Sequence, residues 1–188
     1  MVNTAVLFAQ GFEEVEGLTV VDILRRADIN TNIVGVEEKE ITGAHDVTIK
    51  TDKTLSELKI DNLDALILPG GAPGFQNLRK NETVLSMIKN AFEKDKIVAA
   101  ICASPSVLAT AGILKDKKAT IYPGMEEELE KGKATIVDDL VVVDDNIVTS
   151  KGPATTMLFG LKLVELLKDK KTSDDVEKQV LLPLIYKK

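Results

Sequence analysis

The single cysteine of the chain, Cys102, follows a short apolar run and has small neighbours on both sides. The segment reads Ala100-Ile101-Cys102-Ala103-Ser104. A sharp turn from a strand into a helix leaves room only for small side chains, which is the steric requirement of a nucleophile elbow. A cysteine just before a helix also meets free N–H groups and the positive end of the helix dipole, and both favour the thiolate. The pattern predicts a reactive thiol, with a small buried apolar residue as the alternative.

Two other segments place chemically useful groups after predicted strands. In Leu68-Pro69-Gly70-Gly71, the glycines would let main-chain N–H groups approach a developing oxyanion, or they form an ordinary turn. Glu13-Glu14-Val15-Glu16 begins the first predicted helix, where the dipole stabilises carboxylates in any case. Of these, Glu16 is better placed than Glu13 to point back across the strand ends. His45 is interpreted as a solvated turn residue and Met125 as core filling.

The elements that position these groups alternate along the chain. Strands are predicted from β-branched and apolar runs and helices from apolar residues at helical spacing. The predicted strands are Val2–Ala9, Asn32–Val36, Ala65–Leu68, Ile97–Ile101, Ala119–Ile121, Val137–Val143 and Ile147–Thr149, with a hairpin over Ile41–Ile49. The predicted helices are Glu14–Asp28, Thr83–Glu93, Ser104–Ala111, a short one after Pro123-Gly124, and Gly152–Leu167, where Pro153 occupies a tolerated first position. Alternation of this kind indicates one α/β domain over residues 1–188, with a mostly parallel sheet covered by helices on both faces.

Composition excludes several classes of protein. Hydrophobic residues make up 44% of the 188 residues and charged residues 29%, as in a folded globular protein. One cysteine and one histidine cannot form a disulfide or a structural zinc site, and no metal or other cofactor is predicted. A net charge of −6 has the wrong sign for a nucleic-acid or anionic-membrane partner. The longest apolar run, Ile97–Ala103, is too short to span a bilayer, and no secretory signal is recognised, so a cytoplasmic location is expected.

Four blocks of the sequence together resemble the DJ-1/PfpI family, and its DJ-1 branch in particular. They are Gly11–Glu16, Leu68–Gly71, Ala99–Pro105 and Thr149–Pro153, and they occur in the family's order over nearly the whole chain. The resemblance implies a flavodoxin-like three-layer sandwich related to class I glutamine amidotransferases, and a homodimer. The activities that it implies are conversion of methylglyoxal to lactate by a glyoxalase of the glutathione-independent type, a deglycase activity, peroxide sensing through a cysteine sulfinate, and chaperone-like behaviour.

Site residues follow from the resemblance position by position. Cys102 matches the nucleophilic, oxidisable cysteine, and Glu16 matches the glutamate that hydrogen-bonds to its sulfur. The amides of Gly70, Gly71 and Ala103 match the positions that line the oxyanion pocket.

Three positions depart from the family pattern. Ala103 stands where the protease-like branch has histidine, which makes peptidase activity improbable. Tyr122 stands where many DJ-1 relatives have histidine, and a phenol is a weaker base than an imidazole at neutral pH. General-base chemistry is therefore assigned to Glu16. His45 stands where arginine is common, and it is placed with Tyr122 and Pro153 as a possible pocket residue.

The leading hypothesis is a cofactor-free cysteine enzyme that acts on small reactive carbonyl compounds. A thiolate beside a carboxylate requires that the carboxyl group hold a proton, because two adjacent negative charges repel. The alternative is a non-enzymatic peroxide sensor or stress protein that uses a sulfinate at Cys102. A flavin-binding module is disfavoured, because no phosphate-binding loop rich in glycine, serine and threonine follows Ala9.

Overall fold

Runs of aliphatic residues form the strands of a seven-stranded sheet at the centre of the computed structural model, which describes residues 1–186. Counting the four strands outside this sheet, the strands are β1 (Asn3–Phe8), β2 (Asn30–Gly35), β3 (Glu40–Thr42), β4 (Thr48–Lys50), β5 (Lys53–Thr54), β6 (Ala65–Leu68), β7 (Ile97–Ile101), β8 (Lys118–Ala119), β9 (Thr135–Ile136), β10 (Val141–Asp144) and β11 (Ile147–Ser150). The helices are α1 (Glu14–Arg26), α2 (Gly74–Lys80), α3 (Glu82–Glu93), α4 (Pro105–Ala111), α5 (Glu126–Lys131), α6 (Thr156–Leu167) and α7 (Lys170–Gln179).

The order of strands in the sheet is β10-β11-β7-β6-β1-β2-β5. All neighbours pair in parallel except β10 and β11, which form an antiparallel edge. The five longer parallel strands therefore follow the flavodoxin-like order. The predicted hairpin is confirmed as the antiparallel pair β3–β4, and β8 and β9 form a separate parallel pair.

Both faces of the sheet are covered, so the central strands are apolar without alternation. Leu66 and Leu68 belong to the core shared with α2 to α5, and Ile67 points into the core shared with α1, α6 and α7. The predicted sandwich of helices on both faces of a mostly parallel sheet is confirmed. Within residues 1–186, none of the helices combines the length and the apolar character needed to cross a membrane.

Several predicted boundaries were wrong, and two helices were not predicted. The strand predicted over Val137–Val143 is limited to Val141–Asp144, and the helix predicted from Gly152 begins as a 3-10 turn over Pro153–Thr155 before α6. Helix α7 is so polar that it shows little periodicity, and α2 begins at Gly74, directly after a proline, where the composition indicates a turn. Helix α7 packs on α6, and α2 packs on α3 and α4, and a local sequence pattern does not reveal such contacts.

Candidate active site

The carboxyl ends of β1, β6 and β7 lie side by side at one edge of the sheet. Strand β6 pairs in parallel with both β1 and β7, so the loops after Phe8, Leu68 and Ile101 are neighbours. The N–H of Glu13 donates to the carbonyl of Gly70 at 3.0 Å, which joins the first two loops. The three predicted strand ends therefore meet where open α/β sheets bind ligands.

Cys102 occupies the sharp turn between β7 and α4. Its φ of 63° lies in the left-handed region, which costs a residue other than glycine on the order of 1–3 kcal/mol. Its N–H donates to the carbonyl of Ser150 at 3.0 Å, and its carbonyl accepts the N–H of Tyr122 at 2.9 Å. The buried hydroxyl of Ser104 donates to the carbonyl of Pro69 at 2.6 Å. These bonds hold the elbow against the neighbouring loops.

Glu16 reaches the elbow from the first turn of α1 and is completely buried. Its Oε2 accepts the N–H of Gly70 at 2.7 Å, whereas Oε1 has no hydrogen-bond partner. A Cβ atom on Gly70 would lie 2.6 Å from the Cβ of Cys102 and 2.7 Å from Oε2 of Glu16. Cys102 and Glu16 therefore lie on either side of a position where only glycine fits.

The environment raises the pKa of both groups. Burial raises the pKa of the Glu16 carboxyl from 4.5 to about 7, while the Cys102 thiol and the Gly70 N–H oppose this rise. Burial and then the charge of Glu16 raise the pKa of the Cys102 thiol from 9.0 to about 12. Each charge opposes the other, so the two groups titrate as a pair, which loses its first proton around pH 7 and keeps the second above it. The predicted lowering of the Cys102 pKa is therefore wrong for the state in which Glu16 is charged.

Two of the three predicted oxyanion amides face the sulfur. The N–H groups of Gly71 and Ala103 bond to the Cys102 sulfur and oppose the rise in its pKa. Gly71 has a φ of 91°, and a Cβ there would lie 2.2 Å from the N atom of Glu13. The N–H of Gly70 is already bound to Glu16. The prediction for Gly70 is thus corrected: its amide positions the carboxyl group.

A cavity of about 310 Å³ lies beside Cys102. Tyr122 and Pro153, which were predicted as possible pocket residues, both line it. The complete lining is Glu13, Gly71, Ala72, Phe75, Cys102, Ala103, Tyr122, Met125 and Pro153. A larger cavity of about 560 Å³, lined by residues of α6 and α7, includes neither Cys102 nor Glu16.

Comparison with known proteins agrees with this geometry. The model of the DJ-1/PfpI family matches residues 2–166. The chain belongs to the DJ-1/PfpI family. It is 35% identical over 181 residues to the protein dj-1beta of Drosophila melanogaster, which covers 96% of this chain and 97% of that protein. It is 36% identical over 163 residues to the deglycase PfpI of Pyrococcus furiosus, with coverage of 86% and 97%. The solved structure of an oxidized Toxoplasma gondii DJ-1 superposes with a TM-score of 0.91 at 33% identity, with coverage of 96% and 98%.

His45 does not line the cavity of this DJ-1/PfpI protein, so its predicted place in the pocket is wrong. Its side chain is 69% exposed, and its Nδ1 lies 2.9 Å from Oε2 of Glu14. Oε1 of Glu14 accepts the N–H groups of His45 at 2.8 Å and of Val47 at 3.4 Å. The hydrogen bond with Glu14 raises the pKa of His45, with the charges of Glu13 and Glu14 adding to the effect. Glu14 and His45 thus hold the β3–β4 turn against α1.

Among the described residues, one group of side chains has ligand atoms close enough to share a metal ion, namely Glu13, Glu14 and His45. One atom from each lies within 4.8 Å of the others. The Glu14 carboxylate already accepts hydrogen bonds from the turn, so these contacts account for its position without an ion.

Four pocket residues of this DJ-1/PfpI protein were missed in the sequence, namely Glu13, Ala72, Phe75 and Met125. Phe75 lies on α2, which was not predicted. Met125 was assigned to the core, and although it packs partly against the core it also lines the cavity. Glu13 was ranked below Glu16, yet its side chain forms part of the wall. Phe75 stands four residues after Gly71, and this spacing was the one feature of the sequence that could have indicated that Phe75 lines the pocket.

Proposed function

We propose that this DJ-1/PfpI protein is a cofactor-independent cysteine enzyme that converts 2-oxoaldehydes to 2-hydroxy acids, methylglyoxal to lactate in particular, with deglycation as related carbonyl chemistry. The observation that supports this most is the pair formed by Cys102, which lines the cavity, and the buried Glu16, whose carboxyl group is hydrogen-bonded to the Cys102 thiol. The carboxyl group is fully buried, has one oxygen without a partner, and has a pKa of about 7. A group with such a pKa exchanges protons efficiently at neutral pH.

In the proposed reaction the Cys102 thiolate adds to the aldehyde carbon and forms a hemithioacetal. Its oxygen accepts hydrogen bonds from the N–H groups of Gly71 and Ala103. Glu16 donates the proton of the pair to this oxygen and becomes a carboxylate. The carboxylate then removes the proton from the former aldehyde carbon and returns it to the adjacent carbon, while the hydroxyl proton moves to the oxygen of that adjacent carbon, which yields a thioester of the 2-hydroxy acid. Water then hydrolyses the thioester and regenerates the thiol. The first carbon is oxidised and the second is reduced, so no external redox partner is needed.

The thiolate forms when the single proton of the pair resides on Glu16. In that state the charge of Glu16, the second cause of the high thiol pKa, is absent. A neutral carboxyl group can then donate through its unpartnered oxygen. This proton position also satisfies the requirement that two negative charges do not meet at the site.

The test is lactate formation from methylglyoxal by the purified protein, followed with an assay specific for the product. Cys102→Ala and Glu16→Gln are both expected to lower turnover to the uncatalysed rate. Turnover that survives Cys102→Ala refutes the proposal. The exposed Glu127, which does not line the cavity, provides a matched control as Glu127→Gln, with unchanged turnover expected.

A second candidate function is peroxide sensing through Cys102. Two successive reactions with peroxide would add two oxygen atoms to the sulfur and release two waters, giving a sulfinate. The unpartnered oxygen of Glu16 supports this candidate, because a neutral carboxyl group can donate to a sulfinate oxygen. The oxidized state named for the Toxoplasma gondii relative is consistent with it. Intact mass after mild peroxide treatment is expected to rise by two oxygens in the wild type, whereas progression to three in Glu16→Gln would show that Glu16 protects the sulfinate.

We also propose a cytoplasmic homodimer. Val15 at the start of α1 and Val47 in the β3–β4 turn are 50% and 47% exposed, and the bond from Val47 to Glu14 brings these two segments together. Light scattering after size exclusion should give twice the chain mass for the wild type and the mass of one chain for Val15→Glu. Cell fractionation tests the location.

A further inference from the structure

We infer that the cavity beside Cys102 selects uncharged carbonyl compounds with an apolar substituent, with Glu13 excluding molecules that carry a carboxylate and Phe75 and Met125 contacting the substituent. As a statement about substrates, this inference rests on the proposed function. As a statement about the cavity, it concerns any reagent that reaches the sulfur. The predicted substrate class is aryl- and alkylglyoxals in preference to aldehyde acids such as glyoxylate.

Apolar atoms form most of the surface of the cavity wall. Phe75 and Met125 are both half-buried and pack against the core that α2 to α5 share with the sheet. Backbone hydrogen bonds fix them, from the N–H of Phe75 to the carbonyl of Gly71 at 2.8 Å and from the N–H of Met125 to the carbonyl of Tyr122 at 3.1 Å. The aromatic ring and the adaptable thioether suit a flat apolar group.

The size of the cavity agrees with a substituent larger than methyl. At about 310 Å³ it lies at the lower end of the range of roughly 300–1,000 Å³ for small-molecule sites. The aldehyde carbon must lie at the sulfur, near the amides of Gly71 and Ala103. Tyr122 and Pro153 line the cavity and are exposed, so an aryl group on the second carbon would contact them as well as Phe75.

Glu13 is the charged side chain in this wall, and it is only 16% exposed. No lysine, arginine or histidine lines the cavity in the part of the chain that the structure describes. Two cations close in sequence to lining residues have acidic partners, since Arg79 donates to Glu128 at 2.7 Å and Lys151 pairs with Asp138. The exposed His45 is a cationic partner of Glu13 outside the cavity, with its Nδ1 3.8 Å from Oε2 of Glu13. Within the described cavity wall, a bound carboxylate would therefore meet a partly buried like charge and no cation, and such repulsion strengthens as water is excluded.

The experiment compares alkylation of Cys102 by iodoacetamide and iodoacetate, which transfer similar groups and differ in charge. Each rate is divided by that of N-acetylcysteinamide under the same conditions, and intact mass reports the product, because the chain has one cysteine. The ratio of the two rates is independent of the fraction of thiolate. We expect iodoacetamide to be favoured at least about tenfold, as for like charges within a few ångströms. Glu13→Gln should bring the ratio close to that of the free thiol, and Glu127→Gln should leave it unchanged.

The apolar wall is tested with N-phenyl iodoacetamide. The wild type should favour it several-fold over iodoacetamide after the same normalisation, and Phe75→Leu and Met125→Ala should reduce that preference. Met87→Ala is the matched control, because Met87 packs against the same core outside the cavity. Circular dichroism verifies that each variant is folded. Added salt tests the charge effect without any substitution, because the preference of the wild type for iodoacetamide over iodoacetate should fall as salt screens the charges.

The outcomes separate this inference from the proposed function. Equal normalised rates for the charged and neutral reagents, or discrimination that persists in Glu13→Gln, overturn the inference even where methylglyoxal is turned over. Discrimination that depends on Glu13, in a protein that turns over no aldehyde, supports the inference and refutes the proposed function. A thiol that reacts with neither reagent before unfolding refutes both.

Discussion

Replacing Glu16 by glutamine is expected to remove a defined pH dependence from the stability of the fold. The carboxyl group has a pKa of about 7 in the folded protein against an ordinary value of 4.5. The unfolded chain therefore loses this proton at lower pH than the folded protein does. Stability from this group is complete below pH 4.5 and decreases as the pH rises toward 7. At about 1.4 kcal/mol per pH unit, the total loss is about 3 kcal/mol.

The assay is urea unfolding of the wild type and Glu16→Gln at intervals between pH 4 and pH 8 in the presence of a reductant. The quantity of interest is the difference between the two free energies of unfolding, because contributions from other carboxyl groups cancel in it. That difference should change by about 3 kcal/mol in favour of the variant between pH 4.5 and pH 7.5. Cys102 does not contribute in this range, since its pKa is raised to about 12.

A difference that stays constant within about 0.5 kcal/mol from pH 4 to pH 8 would refute the assignment of a raised pKa to Glu16, and with it the proton-exchange role at neutral pH. Glu127→Gln removes one carboxylate from an exposed position and should give a flat difference. Cys102→Ala removes the thiol that opposes the rise in the Glu16 pKa, so the same transition should move to higher pH in that variant.

Three further substitutions test the surroundings of the site. Gly70→Ala places a Cβ 2.6 Å from the Cβ of Cys102 and 2.7 Å from Oε2 of Glu16, so we expect a loss of about 1–3 kcal/mol and loss of turnover; a stable, active variant would contradict the tight packing. Glu14→Gln weakens the carboxylate contacts of the β3–β4 turn and should speed amide exchange in residues 43–47, with the alkylation rate of Cys102 unchanged. Asn81→Ala removes the cap at the start of α3, where its side chain accepts the N–H of Val84 at 3.1 Å; urea unfolding should show a loss of about 1 kcal/mol, and an unchanged midpoint would argue against the cap.

Local patterns in the sequence were sufficient to predict the main strands and the sharp turn at Cys102. The strand predicted over Ile97–Ile101 has the observed bounds, because a run of aliphatic residues with both faces buried is unambiguous at that length. The small residues around Cys102 indicated the sharp turn, since only small side chains fit there. The polar helix α7 was not predicted, because its few apolar contacts depend on α6, a separate element that covers the sheet.

The partners within the site depended on the tertiary structure. Glu16 and Gly70 are 54 positions apart in the chain, and only the order of the strands shows that the Gly70 amide serves the carboxyl group. Burial, which no short segment of sequence specifies, raises the pKa of both Glu16 and Cys102. The sequence alone therefore determined which residues could do chemistry and which strands present them. The folded chain determined which groups meet, how deeply they are buried and hence where the proton is held, because these properties arise from contacts between distant segments.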